Sequence, residues 1–142
     1  MLIQCVTNSF RSEMLQGIHD LATDTLKLAL YTGSANLYPT TTAYSTTEEV
    51  VASGYTAGGI VLTGVTISTG TASTIQPAPV YVNFNNAVWT AALTARGGLI
   101  YNTSKANRSI AILDFGSDKT STTTFTVQMP ANTATTALLR FP

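Results

Sequence analysis

A chain of 142 residues is the size of one domain, and a chain of that length can bury about 70% of the surface it exposes when unfolded, so a core forms without metals or disulfides. Seven basic and seven acidic side chains cancel, which leaves no basic excess to neutralise phosphates and argues against nucleic acid as a partner. Charged residues make up only 10% of the chain, against ~25% in ordinary soluble domains; so sparse a surface repels sister copies weakly and suits a protein packed into an assembly.

The opening MLIQCVTNSF has no basic n-region, and polar residues interrupt it before an apolar run reaches signal-peptide length. No uncharged apolar run reaches the roughly 18 residues that a membrane helix needs, so no membrane partner is expected and folding in a reducing cytoplasm is. Cys5 is the single cysteine; it forms no internal disulfide and reads as a small apolar residue. One helix is predicted, over about 8–20. Asn8 or Ser9 offers a capping oxygen, and Phe10, Met14, Leu15 and Ile18 recur at helical spacing on one face. Gly17 weakens the last turn, and His19–Asp20 ends it.

From Thr25 the period changes to two. In TLKLALYT, Leu26, Leu28 and Leu30 alternate with Thr25, Lys27 and Tyr31, the pattern of a strand with one buried face. Residues 33–47 are polar and turn-rich around Pro39 and read as a long surface loop, with a single helical turn at TTEEVV. GIVLTGVTIS, APVYVNFNN, VWTAALTARG, GLIYNT, SIAILDFG, TTTFTVQMP and ALLRFP follow as strand candidates. Val80, Val82 and Phe84 alternate against Tyr81, Asn83 and Asn85, and the many threonines fit the solvent face of pleated strands. Short strands separated by turn signals predict a mainly β fold over residues 1–142: an antiparallel β-sandwich or a jelly-roll-like barrel with one short N-terminal helix.

Candidate chemistry is scarce. SGYTAGG, Ser53 to Gly59, packs three glycines into seven residues. A phosphate loop needs Lys and Ser or Thr after its last glycine and then a helix, whereas Ile60, Val61 and Leu62 read as a strand. The glycines therefore read as a turn or bulge entering that strand. His19 is the only histidine and reads as a partly exposed helix-end residue, and no G-x-S-x-G elbow surrounds a serine. One Cys and one His do not make a zinc site. Adjacent Glu48 and Glu49 point in different directions on a helix or a strand. Asp114 and Asp118 flank a predicted turn, DFGSDKT, where aspartate satisfies local backbone donors. No catalytic residue, cofactor or metal is expected. Tyr38, Tyr44 and Tyr55, in or near the long loop, and Trp89, at the mouth of a strand, are the candidate interface residues; the alternative puts Trp89 in the core with the tyrosines at its rim.

The succession LKLALYT, EEVVASGYTAGGIVLTG, VYVNFNNAVWTAALTARGGLIYN and IAILDFGSDKTSTTTFTVQMP, from about Phe10 to Pro130, resembles a group of small proteins encoded among the structural genes of tailed bacteriophages. The resemblance implies a virion component: a capsid cement or decoration protein, or a part of the tail or head–tail connector. It implies no functional residue. Its implied partners are the major capsid protein and other virion proteins. A cement protein bridges junctions between capsid subunits, and symmetry there favours a homotrimer, with the N-terminal segment and the 33–47 loop reaching toward the shell or a sister subunit. A carbohydrate-binding β-sandwich that recognises a host surface through the loop tyrosines is the reading from another class.

Overall fold

The computed structural model describes residues 1–142 and is mainly β, with antiparallel sheets and one helix, as the strand pattern predicts. No helix is long and apolar enough to cross a membrane. The strands are β1 (Cys5–Val6), β2 (Leu26–Tyr31), β3 (Ile60–Val61), β4 (Thr66–Thr69), β5 (Val80–Asn83), β6 (Ala87–Trp89), β7 (Thr94–Asn102), β8 (Arg108–Thr120), β9 (Phe125–Val127) and β10 (Leu139–Phe141). The main sheet runs β1-β8-β7-β2-β3; a second sheet runs β10-β5-β4, and β6 pairs with β9. All ladders are antiparallel. This is a sandwich arrangement and not a closed barrel, so the barrel alternative falls away.

The helix, α1, spans Asn8–Leu15, shorter than 8–20. Its cap is Thr7, not Asn8 or Ser9: Thr7 has extended backbone and its Oγ1 accepts from the Phe10 amide at 3.4 Å. The expected apolar face is also corrected. Phe10 is fully buried and Met14 half-buried, but Leu15 stands 92% exposed while Glu13 is buried. A polar partner set inside the fold, described below, draws Glu13 inward.

Leu26, Leu28 and Leu30 face the large core together with Val82, Phe84, Trp89 and Leu139. The expectation of one buried face fails, because Ala29 and Tyr31 on the other face are buried too, against Leu2, Leu37, Leu99, Tyr101 and Ile112. The cover over this outer face comes from the N-terminal residues and the 33–47 loop. They do not reach outward but bond to each other and to the sheet: Ile3 N–H to Leu37 O at 3.0 Å, Asn8 N–H to Pro39 O at 2.9 Å, Tyr44 N–H to Asn107 O at 2.9 Å and Ser109 N–H to Thr42 O at 2.9 Å. At TTEEVV there is no helical turn; Glu48 takes φ 61 and Glu49 bridges Tyr31.

Glycine decides three further departures. GIVLTGVTIS is not one strand, since Gly64, at φ +62, sends β3 and β4 into different sheets. Gly97 and Gly98 do not separate two strands but lie inside β7. A Cβ on Gly97 would stand 2.5 Å from Leu2 Cδ2, and one on Gly98 2.7 Å from Leu28 Cδ1, so the bare backbone admits the N-terminal cover at Gly97 and a side chain of neighbouring β2 at Gly98. DFGSDKT is not a free turn either. It continues β8 through a long bulge, with Asp114 opposite Gly97 and Lys119 opposite Ala95, and Gly116 at φ +80.

Candidate functional site

Two polar clusters lie inside this frame. The first answers what SGYTAGG does. Gly54, Gly58 and Gly59 take φ of +86, +94 and +75, and the segment turns into β3 at Ile60, as expected from its composition. Its polar groups do hold an anion, but they are buried and the anion belongs to the same chain. The Gly58 N–H donates to Glu49 Oε1 at 2.7 Å, the Tyr55 hydroxyl to Oε1 at 2.7 Å, and the Tyr44 hydroxyl to Oε2 at 2.6 Å. Tyr55 Oη in turn accepts from the Leu30 amide at 2.9 Å, tying the cradle to β2. Tyr101 donates to Gly58 O at 2.7 Å and stacks on Tyr44 with ring centres 4.6 Å apart.

Adjacent glutamates thus have opposite fates. Glu49 is buried, while Glu48 is exposed and accepts from Thr32 Oγ1. Burial, then the neighbouring Glu49 charge, holds the Tyr44 and Tyr55 hydroxyls well above the usual tyrosine range and pushes Tyr101 up to about 12. All three remain protonated donors at any ordinary pH. A carboxylate with three short, charge-assisted bonds is stabilised strongly, and its lone pairs are committed to holding the loop.

The second cluster corrects the reading of His19, which is buried rather than partly exposed. Asn102 Nδ2 donates to His19 Nδ1 at 3.0 Å, so the ring proton sits on Nε2 and donates to Glu13 Oε2 at 2.7 Å. The Asn102 orientation is set by its other contacts: Nδ2 also donates to Asp24 Oδ2 at 2.7 Å, and Oδ1 accepts from the Ser104 amide at 3.0 Å. Arg108 reaches Glu13 Oε1 at 2.6 Å, and Lys105 lies 3.8 Å from Asp24 Oδ1. Burial works to raise both carboxyl pKa values, but hydrogen bonds from His19 and Arg108 to Glu13, and from Asn102 and the Asp20 amide to Asp24, outweigh it and hold both below the carboxylate range.

His19 therefore meets an acid, yet no serine or cysteine side chain bonds to its ring; its partners are Glu13 and Asn102. Cys5 packs against the outer cluster, and burial pushes its thiol up, away from the reactive thiolate. Asp114 pairs with Arg96 at 2.8 Å and accepts from the Gly116 amide at 2.9 Å, and these bonds hold its carboxyl below the usual range.

Of the four candidate interface aromatics, Tyr44 and Tyr55 share Glu49 and Tyr55 neighbours Trp89, so these three meet inside the fold and Tyr38 stands apart. Trp89 is in the core, with ring centres 6.1 Å from Tyr55 and 6.2 Å from Phe125, as the alternative reading has it. Tyr55 is buried on Glu49, Tyr44 is half-buried, and only Tyr38, 36% exposed, stands at the surface. Bare aliphatics appear where the sequence reading did not look: Val51 is 97% exposed and Ile75 88%, in addition to Leu15. A groove of about 360 Å³ runs beside His19 between Met14, Leu21, Ile67, Val80 and Phe141. Comparisons of the chain with protein-family models, with curated proteins and with solved structures found no match.

Proposed function

We propose that this chain is a non-enzymatic structural component of a tailed-phage virion, a cement protein that binds across the junctions between capsid subunits. One contrast carries the reading. The buried charged and ionisable side chains Glu13, His19 and Glu49 are each committed to partners within the chain, whereas Leu15, Val51 and Ile75 stand almost bare in solvent. The buried polar groups stiffen the unit, and the exposed aliphatics offer apolar contact to a partner.

A cement works by adding contact area where pressure from packaged DNA pulls subunits apart. A covered, bonded sheet transmits such load without rearranging, and a trimer on a threefold or quasi-threefold axis matches the symmetry of those junctions. Purified protein added to expanded, undecorated capsids of its phage is expected to raise the temperature at which they break open. Quantitative mass spectrometry of intact particles is expected to count on the order of hundreds of copies, against about a dozen or fewer for a connector or tail part. Absence from the particle, or no binding to expanded capsids, refutes the cement role; a dozen copies transfers the protein to the connector.

A further inference from the structure

His19 occupies a place where a proton has a structural consequence, whatever the chain's partners. As a neutral ring it satisfies both neighbours: Nε2–H donates to Glu13 and Nδ1 accepts from Asn102. The Asn102 amide has no freedom to adapt. Its Nδ2 serves His19 and Asp24 at once, and its Oδ1 caps the turn Thr103–Lys105 through the Ser104 amide. A second ring proton, on Nδ1, places N–H against N–H. Turning the amide over relieves that clash only by setting Oδ1 against the Asp24 carboxylate and Nδ2 against the Ser104 N–H. Either the amide withdraws or it exchanges one conflict for two.

We propose that His19 is an acid-sensitive latch: a proton taken up at Nδ1 ejects the Asn102 amide and frees the Asp20–Asp24 turn from the Thr103–Lys105 turn while the sheets stay folded. The charges around the ring are disposed for this. Glu13 from α1 and Asp24 from the following turn face it with negative charge, and each carries a cation on its other oxygen, Arg108 of β8 for Glu13 and Lys105 for Asp24. Phe10 closes the remaining side, its ring centre 4.9 Å away. Both carboxyls are held below their ordinary range, so the negative charge facing the ring persists as the solution is acidified. Asp24 Oδ2 also accepts from the Asp20 amide at 2.9 Å, so the released turn is the one that carries Asp20 and Leu21. Those two residues form part of the wall of the apolar groove beside His19. The latch thus links acidity to the shape of that groove.

The ring is the only imidazole in the chain, so its nitrogen resonances need no assignment. On ¹⁵N-labelled protein the expected spectrum at about pH 8 is the Nε2–H tautomer, and acidification is expected to convert it to the doubly protonated ring. Over the same midpoint the exchange protection factor of the Ser104 amide falls roughly tenfold, the scale of one or two lost hydrogen bonds, while Leu99 and Ile112 keep theirs. In His19→Gln, which takes up no proton, Ser104 protection stays flat over that acidification. An Nδ1–H tautomer, or a Ser104 amide indifferent to the ring titration, overturns the latch. The same fall in the glutamine variant also overturns it, by assigning the loss to a carboxylate. Should His19→Gln not fold, the tautomer and the coincidence of the two wild-type midpoints still decide.

Discussion

Gly59 shows how narrowly single residues are constrained here. Its φ is +75, and a Cβ would stand 1.8 Å from the Leu28 carbonyl oxygen, deep inside van der Waals contact with the backbone of a paired strand. Gly17, at φ +70, has nothing within 4 Å of the same position. Gly17→Ala is therefore expected to lose only about 1 kcal/mol, the strain of a left-handed alanine. Gly59→Ala is expected to lose more than about 3 kcal/mol or to fail to fold, because backbone must move as well. Urea unfolding of the two variants separates strain from collision; equal midpoints would refute the account. Glu49 gives the second prediction at this scale. Glutamine offers one acceptor where two oxygens serve three donors, and turns its amide toward a donor. Glu49→Gln is expected to cost roughly 2–4 kcal/mol and Tyr44→Phe about 1–2 kcal/mol, the smaller value because water reaches half-buried Tyr44. A glutamine variant as stable as the parent would mean the carboxylate does not organise the loop. The cradle was not legible from the residues alone. Adjacency suggests only that Glu48 and Glu49 diverge, whereas Glu49's partners lie five, six and nine positions away in the chain.

Elements were easier to locate than to bound. Local signals placed α1 within a residue at its start, but the cap fell to Thr7, whose hydroxyl also meets Ser109 Oγ at 3.0 Å from across the fold. Thr7→Ala is expected to cost about 1–2 kcal/mol, and Asn8→Ala within about 0.5 kcal/mol; the ratio of their unfolding midpoints tests which residue caps. Acid sensitivity belongs to the same scale, because Glu13 and Asp24 join α1 and the turn after it to β7 and β8. Both carboxyls have folded-state pKa values below their unfolded ones. Their contribution is complete above the unfolded values and drains away as pH falls through the folded ones. The urea midpoint is thus expected to drop below about pH 4, and Glu13→Gln to flatten that drop while lowering the plateau. An unchanged acid limb in Glu13→Gln would assign the loss elsewhere. Strand ends were hidden for a related reason: Gly97, Gly98 and Gly116 are turn signals in sequence but serve close packing and a bulge inside paired strands.

For the whole molecule, the decisive feature is the second cover on the main sheet. With residues 33–47 bonded down over Ala29, Tyr31 and Ile112, the loop is part of the body and not an arm. Under the proposed function, the exposed aliphatics are the contact surface to test first. Replacing Leu15, Val51 and Ile75 by serine is expected to change stability by less than about 0.5 kcal/mol each, since each side chain already lies in water. Under the proposed function the triple variant loses capsid binding while keeping its fold, measured by co-sedimentation with expanded particles. Undiminished binding would move the contact surface elsewhere, with Tyr38 next to be tested.

The sequence by itself determined the β class and the strand Leu26–Tyr31 with its inward leucines, because alternation and turn chemistry are local properties of the chain; the choice of sandwich over barrel came from the pairing of strands. Only the tertiary structure decided which face was left for solvent, which carboxylates were buried, and that Trp89 and Tyr55 belong to the core. Those outcomes depend on contacts between residues far apart in the chain, such as Leu2 with Gly97 and His19 with Asn102, and no short stretch of sequence carries that information.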